Sequence, residues 1–514
     1  MRRFCMAPRR LAMLRLSSGG QRPVTTMRPL LRTSRAVALL AAILAVAGCG
    51  GSPASPALGP TRAAAAKGGD WTRFGYDAAR HDSGPAATGI TAANVGSLEH
   101  IRVPLDGTVD SSPIYLRRVT VRGASHDVFV VTTSYGRTIA VDASSGSLLW
   151  QFTPASFGTW ARSYRITNAS PVADPSKRFV YAAAPDGRIH KLAVATGAEV
   201  HSGSWPAAVT RYPVREKIAP ALNYARGLVL AATGGYIGDA PPYQGHAVSI
   251  DARTGRIVHV WNSLCSNRRG LLVPRTCGDS DSAIWARAGV VVDPATGNLL
   301  VATGNGRFDG RRAWGDSVLM LSRNAGRLLH NWTPTDQAAL SGGDVDVGST
   351  APALLTSGLA VQGGKDAKLR LLDLHRLGGK LGRVGGELQT LPTPGNAGVF
   401  SAPAVARIGG TVRLFVGTSA GTWCYVLRGR RLSVAWRRAE AGTSPVLAGG
   451  LLYVYDPNGN LDVYRPTSGA IVARLPAGRG HWNSPIVTDG RVALPEGDAN
   501  DHSMSGVLNI YHLR

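Results

Sequence analysis

The chain has 514 residues with 63 glycines and 31 prolines, long enough for a large core but punctuated too often for a helical protein. Its formal charge of +25 suggests nucleic acid, yet residues 1–48 carry nine arginines and no acidic residue, and without them the charge is +16. The remaining arginines fall in short clusters such as Arg268-Arg269, Arg311-Arg312 and Arg430-Arg431, so no nucleic-acid partner is expected. They read as solvated surface, with attraction to anionic lipid or wall polymer as the functional alternative.

At the N-terminus, MRPLLRTSRAVALLAAILAVAGC from Met27 gives a basic region, an apolar run from Ala36 to Ala47, and small residues before Cys49. The run is too short for a permanent span, and small residues before the cysteine suit a peptidase. Val46-Ala47-Gly48-Cys49 resembles the bacterial lipoprotein signal, which implies an exported protein lipidated at Cys49 and anchored to a membrane. An ordinary signal peptide with a chance cysteine is the plain alternative. Residues 1–26 add nothing a signal needs, so Met27 is a candidate start beside Met1, and Arg2-Arg3 lies too far from the apolar run to carry a twin-arginine reading. The expected division is a signal segment over 1–48, a Gly/Ala/Pro-rich tether over 49–69 and a single domain over 70–514.

Five cysteines then sort themselves. Cys5 and Cys49 belong to the leader, Cys265 and Cys277 bracket SNRRGLLVPRT, and Cys424 lies in the alternating run Trp423 to Leu427. In an exported chain the bracketing pair predicts a local disulfide. No histidine or third cysteine has metal-site spacing with it, which argues against zinc. Cys424 reads as a buried free thiol.

From DWTRFGYDAARHDSG onward the chain repeats itself. A unit opens on Ser/Ala-Pro, runs through an apolar strand, a glycine turn, a strand ending near Leu-Asp and a Thr-Gly turn, and closes on a strand with tryptophan. Ser111 to Phe152 is the clearest copy. Prolines at 113, 171, 220, 352, 403, 445 and 485 mark seven starts, and SAIWARAGVVVD around Ile284 supplies an eighth. Tryptophans at 150, 205, 261, 332 and 436 close five units. Proline suits the first residue of a strand, and Asp-x-x-Thr-Gly suits a tight hairpin. Period-2 alternation at Val248 to Ile250, Leu371 to Asp373 and Leu461 to Tyr464 predicts half-buried antiparallel strands. Eight four-stranded units predict an all-β, eight-bladed propeller. The last unit stops at a third strand, Val507 to Tyr511, and Leu98 to Val103 is an unpaired fourth, so the two are expected to share one blade.

GRTIAVDASSGSLLWQF, YVYDPNGNLDVYRPTSG and the DWTRFGYD opening resemble the pyrroloquinoline quinone (PQQ) repeat of quinoprotein-like eight-bladed propellers. Such repeats build both dehydrogenases and a non-enzymatic lipoprotein scaffold of outer-membrane protein assembly, so the resemblance specifies fold before chemistry.

In alcohol-oxidising members the resemblance implies calcium and PQQ on the propeller axis, a carboxylate base and a cation beside the quinone. Thr303-Gly304-Asn305 matches the motif whose asparagine binds calcium. Asp344 and Asp346 match an Asp-x-Asp stretch, implying Asp344 as base and Asp346 as a calcium ligand. Lys365, eight residues before Asp373, matches the cation on the quinone, and Trp285 lies near the place of a stacking tryptophan. Two departures count against a working site: Tyr236 stands where a glutamate ligand is expected, with Asp239 three residues on, and the adjacent cysteine pair of many dehydrogenases is absent. Asp239 substitutes only if its loop reaches inward. Each matched residue also has a structural explanation: Asn305 as a turn residue between glycines, the aspartates as partners of backbone amides, and Lys365 as the partner of an aspartate.

GHWNSP around His481 and Trp482 sits at an inner-strand start and reads as blade packing or as an axial residue pair; DPNGN at Asp456 reads as a hairpin turn. The chain has no phosphate-binding loop or paired metal histidines. It also lacks a haem-attaching Cys-x-x-Cys-His, so an enzyme built on it needs a separate electron acceptor. Two functions are therefore expected: a monomeric binding or scaffold propeller of the cell envelope that meets envelope proteins or polymers through its loops, with a degenerate quinone site; or a PQQ- and calcium-dependent alcohol dehydrogenase.

Overall fold

Each sequence repeat forms one four-stranded antiparallel sheet, and there are eight of them. The computed structural model describes residues 68–377 and 382–514. The leader, its apolar run and Cys49 lie outside the described residues. Among the described residues no helix is long and apolar enough to cross a membrane, and the one α-helix is Gln337–Gly342.

The repeat's punctuation has direct structural meaning. Pro113, Pro171, Pro352, Pro403, Pro445 and Pro485 each stand immediately before an innermost strand: Ile114–Val121, Val172–Ala173, Ala353–Thr356, Ala404–Ile408, Val446–Ala448 and Ile486–Thr488. At that place a missing N–H costs the ladder nothing. Blade three starts on Asn223–Ala225, just after Pro220, and blade four, which lacks the proline, starts on Val291–Val292. Three third strands, Thr138–Asp142, His246–Asp251 and Lys368–Asp373, end on an aspartate that accepts from the following turn. Asp251 Oδ1, for example, accepts from Thr254 N at 2.7 Å and Thr254 Oγ1 at 2.8 Å.

The closing tryptophans join neighbouring blades. Trp150, on the outer strand of blade one, covers the turn glycine Gly197 of blade two, where an added Cβ would lie 2.7 Å from the ring. Its Nε1 donates to Val194 O in that turn at 2.8 Å. Trp436 repeats the arrangement over Gly469 of blade seven and donates to Pro466 O at 3.0 Å. Aromatic area and a satisfied indole N–H thus recur from blade to blade.

The ring closes as the chain ends require. Blade eight takes three strands, Ile486–Thr488, Arg491–Glu496 and Gly506–His512, from the end of the chain, and its fourth, Glu99–Leu105, from the beginning. The junction is antiparallel, with Ile101 opposite Ile510 and Val103 opposite Leu508. The core is laid down between sheets, as in the cluster of Val103, Phe129, Val131, Tyr453, Leu494 and Ile510.

Before that strand, residues 69–90 run as a strap across the inner strands. Trp71 exchanges two 2.8 Å backbone bonds with Tyr115, and carbonyls of Thr72, Ala78, His81, Asp82 and Thr88 accept from Ala173, Val292, Val405, Leu447 and Gly490. Arg73 Nη1 adds blade three by donating to Tyr224 O at 2.6 Å. Arg80, only 3% exposed, donates to the carbonyls of Phe74, Ala221, Leu222 and Ala288. One side chain therefore ties the strap to the starts of blades three and four.

Candidate functional site

The segments leading into the inner strands, and those leaving the second strands, converge on one cavity of about 330 Å³. Asn305, Asp344, Asp346, Lys365 and Trp285, all singled out from the sequence, line it together. So do Phe400, Trp482, His481, Lys217, Asn168 and Asp239.

Blades four and five build an acidic wall. Asp344 follows the helix Gln337–Gly342 in a left-handed conformation (φ 50°), and Asp346 begins the tight turn into blade five. That turn crosses blade four so closely that a Cβ on Gly348 would lie 2.3 Å from Gly304 N. This contact brings Asp346 beside the Thr303-Gly304-Asn305 turn. The backbone of Asn305 is pinned by Ser282 N, which donates to its carbonyl at 2.5 Å, while its side chain remains at the cavity.

Lys365 Nζ lies 2.6 Å from Asp344 Oδ1 and 2.8 Å from Asp346 Oδ2. The second contact is an ion pair out of line for a hydrogen bond, and neither oxygen of buried Asp346 has a hydrogen-bond partner. Burial pushes the Asp346 carboxyl up, against the pull of Lys365. Burial also draws on Lys365, but the two aspartates outweigh it and hold the ammonium above its usual range. Behind them Asp316, buried and facing Asp346, is pushed up to about 7, by burial first and by that like charge second.

Three aromatic rings form a platform. Trp285, Phe400 and Trp482 come from the starts of blades four, six and eight, with ring centroids 5.9 to 6.3 Å apart. Lys365 Nζ lies 5.3 Å from the Trp285 ring centroid, within cation–π range.

Blade three supplies the departure expected from the sequence. The Tyr236 hydroxyl donates to Pro213 O at 2.8 Å and its ring joins Tyr135 and Trp160, so its oxygen is committed away from any ion. The loop does reach inward: Asp239 lines the cavity and accepts from Tyr243 Oη at 2.8 Å.

His481 and Trp482 complete the wall. Nδ1 of His481 lies 2.8 Å from Oδ2 of fully buried Asp110 and 3.3 Å from Asp498 Oδ1, and its ring stacks on Trp482 at 4.2 Å. Burial opposes the imidazolium, but Asp110 outweighs it and raises the His481 pKa. Asp110, despite burial, is held below the usual carboxylate range by His481.

The residues present fit both groups that the sequence resemblance implies. A hard divalent cation needs several oxygens. Asp346 offers two without hydrogen-bond partners, with Asn305, Asp344 and Asp239 on the same cavity. A flat anionic quinone needs aromatic faces and positive charge, which the platform, Lys365 and Lys217 supply. The disulfide read from the sequence, Cys265–Cys277, is present outside this cavity, and Cys424 is a buried free thiol.

A family model described as outer membrane protein assembly factor BamB matches residues 109–330, the first half of the ring. No protein with a curated description matches the chain. Among solved structures, the quinohemoprotein alcohol dehydrogenase of Comamonas testosteroni superposes with TM-score 0.63 at 18% identity, covering 88% of this chain and 81% of the other. The quinohemoprotein alcohol dehydrogenase ADHIIG of Pseudomonas putida HK5 gives 0.65 at 15% identity, covering 87% and 80%. A europium-containing methanol dehydrogenase gives 0.63 at 15% identity, covering 87% and 98%. At these identities the likeness is one of fold.

Proposed function

We propose, for a chain that is a PQQ-repeat, quinoprotein-like eight-bladed propeller, that its axial cavity binds PQQ with a calcium-like divalent cation and that an alcohol is oxidised there. The observation that carries this reading is convergence. Trp285, Asn305, Asp344, Asp346 and Lys365, spread over 81 sequence positions and two blades, line one cavity with Phe400 and Trp482.

Asn305 and Asp346 would hold the cation, with Asp239 adding to its oxygens, and the Trp285, Phe400 and Trp482 rings would hold the quinone. A quinone bound there would supply a two-electron acceptor. The chain's own part is to place a proton acceptor and exclude water. Asp344, with its side chain 59% exposed, is the carboxylate an entering hydroxyl meets first, and Lys365, 2.6 Å away, orients it. Buried Asp346 stabilises that lysine from the other side. Electrons would leave to a separate acceptor.

A second reading is favoured by one observation: Lys365 occupies both aspartates at once, a self-sufficient ion triad that needs no metal. On it the propeller is a monomeric binding protein of the cell envelope whose loops meet envelope proteins or polymers. In either case we place the protein outside the cytoplasm, anchored by lipid at Cys49 at the end of a 49–69 tether, with residues 70–514 acting as one domain. Fatty-acid labelling that persists in Cys49→Ser would overturn the anchor.

Reconstitution of the purified soluble chain with calcium and PQQ separates the two functions. Stoichiometric quinone binding that is abolished in Asp344→Ala and Lys365→Ala supports the dehydrogenase. No quinone absorbance after dialysis, at any calcium concentration, overturns it.

A further inference from the structure

The cavity wall built by blades one, two, three and eight carries an ammonium that no side chain pairs directly, among the described residues. Lys217 is set there by a two-stranded ladder, Glu216–Lys217 with Gly234–Gly235, in which Lys217 lies opposite Gly234. That ladder needs its glycines: a Cβ at Gly235 would lie 2.8 Å from the Tyr243 ring. Lys217 is 8% exposed and lines the cavity, and among the described residues its ammonium forms no hydrogen bond or ion pair.

The carboxylates around it are already engaged. Glu216 Oε1 accepts from Gln244 N at 3.1 Å and lies 3.1 Å from His246 Nε2. Asp110 Oδ1 accepts from Trp482 N at 2.9 Å. Its Oδ2 accepts from Asn168 Nδ2 at 2.8 Å and Ala499 N at 3.3 Å, and meets His481 Nδ1 at 2.8 Å. Arg287, 3% exposed, adds a second buried cation beside Trp482. Its Nη1 donates to Asn168 O at 2.8 Å, and its Nε and Nη2 have no partner.

A buried ammonium without a direct hydrogen-bond partner is costly, and a cavity wall that keeps one, with the Arg287 guanidinium buried nearby beside Trp482, is stabilised by an arriving anion. One ammonium beside a fixed Asp110 favours a monoanion over a doubly charged phosphate, and the adjoining aromatic rings favour a flat or short carrier. We infer that Lys217, backed by Arg287 and Asn168, is a carboxylate-binding subsite of the axial cavity. The carboxylate belongs either to the quinone or to an acidic substrate such as a hydroxy acid. The inference rests on the quinone reading only for the first of these ligands.

Tryptophan fluorescence tests it with quinoline-2-carboxylate and its uncharged carboxamide, added to the purified chain without quinone. The acid is expected to bind, the amide to bind at least about tenfold more weakly, and Lys217→Met to lose that preference while Lys217→Arg keeps it. Equal binding of acid and amide, or unchanged acid binding in a folded Lys217→Met, overturns the subsite. The wild-type chain gives a second measurement that needs no variant. After reductive 13C-methylation, the acid but not the amide should raise the titration midpoint of the Lys217 resonance, and no response overturns the subsite. Lactate and PQQ then separate the sources. Competition by lactate assigns the subsite to substrate, and loss of PQQ binding in Lys217→Met assigns it to the cofactor. Absence of PQQ binding together with Lys217-dependent binding of the acid overturns the quinone reading and leaves the subsite standing.

Discussion

Lys365 clamps two aspartates of opposite exposure, Asp344 at 2.6 Å with its side chain 59% exposed and Asp346 at 2.8 Å with its side chain 1% exposed. The two contacts differ in energy. An exposed pair is worth less than about 1 kcal/mol, whereas removing the partner of a buried charge costs about 3 kcal/mol or more. Lys365→Met should therefore lower unfolding stability by about 3 kcal/mol in urea titration, and Asp344→Ala by less than about 1 kcal/mol. Calcium should restore more stability to Lys365→Met than to the wild type, because a cation would then neutralise Asp346. Equal calcium effects would remove Asp346 from any ion site.

Lys217 is expected to weaken the fold that contains it. Burial pulls its ammonium down from 10.5 to about 8, and Arg287 adds to the pull against Asp110. Between pH 8 and 10.5 the unfolded chain holds this proton more tightly than the folded one, so this group makes stability rise with pH across that window. Below pH 8 the whole cost is present. Lys217→Met should be more stable than wild type by about 3 kcal/mol at pH 7, with the difference shrinking as the pH rises through that window. Urea midpoints across the window test this, and a destabilised variant at pH 7 would contradict it.

Arg80 is the point at which the strap is fastened. Removing its guanidinium leaves the carbonyls of Phe74, Ala221, Leu222 and Ala288 buried and short of a donor. Arg80→Met should cost at least about 3 kcal/mol. It should also open residues 69–90 to limited proteolysis before the blades themselves are cut. Resistance equal to wild type would show that the backbone bonds suffice.

The Cys265–Cys277 bridge closes a loop of sequence separation 12, remote from the platform rings. Its reduction should lower stability by about 3 kcal/mol on the loop-entropy argument. Binding of the quinone or of the quinoline acid should be unchanged, since no cavity-lining residue belongs to that loop. A change in affinity on reduction would show that the loop and cavity are coupled.

The fold was legible because its units announce themselves locally: a proline where a donor is dispensable, an aspartate where a turn needs an acceptor, a tryptophan where the next blade offers a glycine. Half of the site was legible too, through residues that match a known motif. The other half carried a signal of a different kind. Asp110, Asn168, Lys217, Phe400 and Trp482 each stand three residues before a blade-opening proline, at 113, 171, 220, 403 and 485. In blades two, three, six and eight that position lines the axial cavity, and Asp110 of blade one meets His481 behind it, so residues of unrelated chemistry, distant in sequence, become neighbours. Pairwise spacing within one segment cannot reveal this, and the repeat register can. The pairing of Lys365 with both aspartates and the inward turn at Asp239 depend on side-chain and loop conformations that no register specifies.

The shared blade has a consequence for how the molecule comes into being. Glu99–Leu105 waits for Gly506–His512, a partner some four hundred positions later, and the cavity is enclosed only by segments on both sides of that seam. Pairing over such a separation is slow to form. A chain interrupted just before the last strand has seven complete sheets and an open gap, with Asp110 on one side and His481 on the other. Whatever the cavity binds, it can bind only after synthesis and ring closure are complete, so ligand occupancy reports on whether a given copy has finished folding.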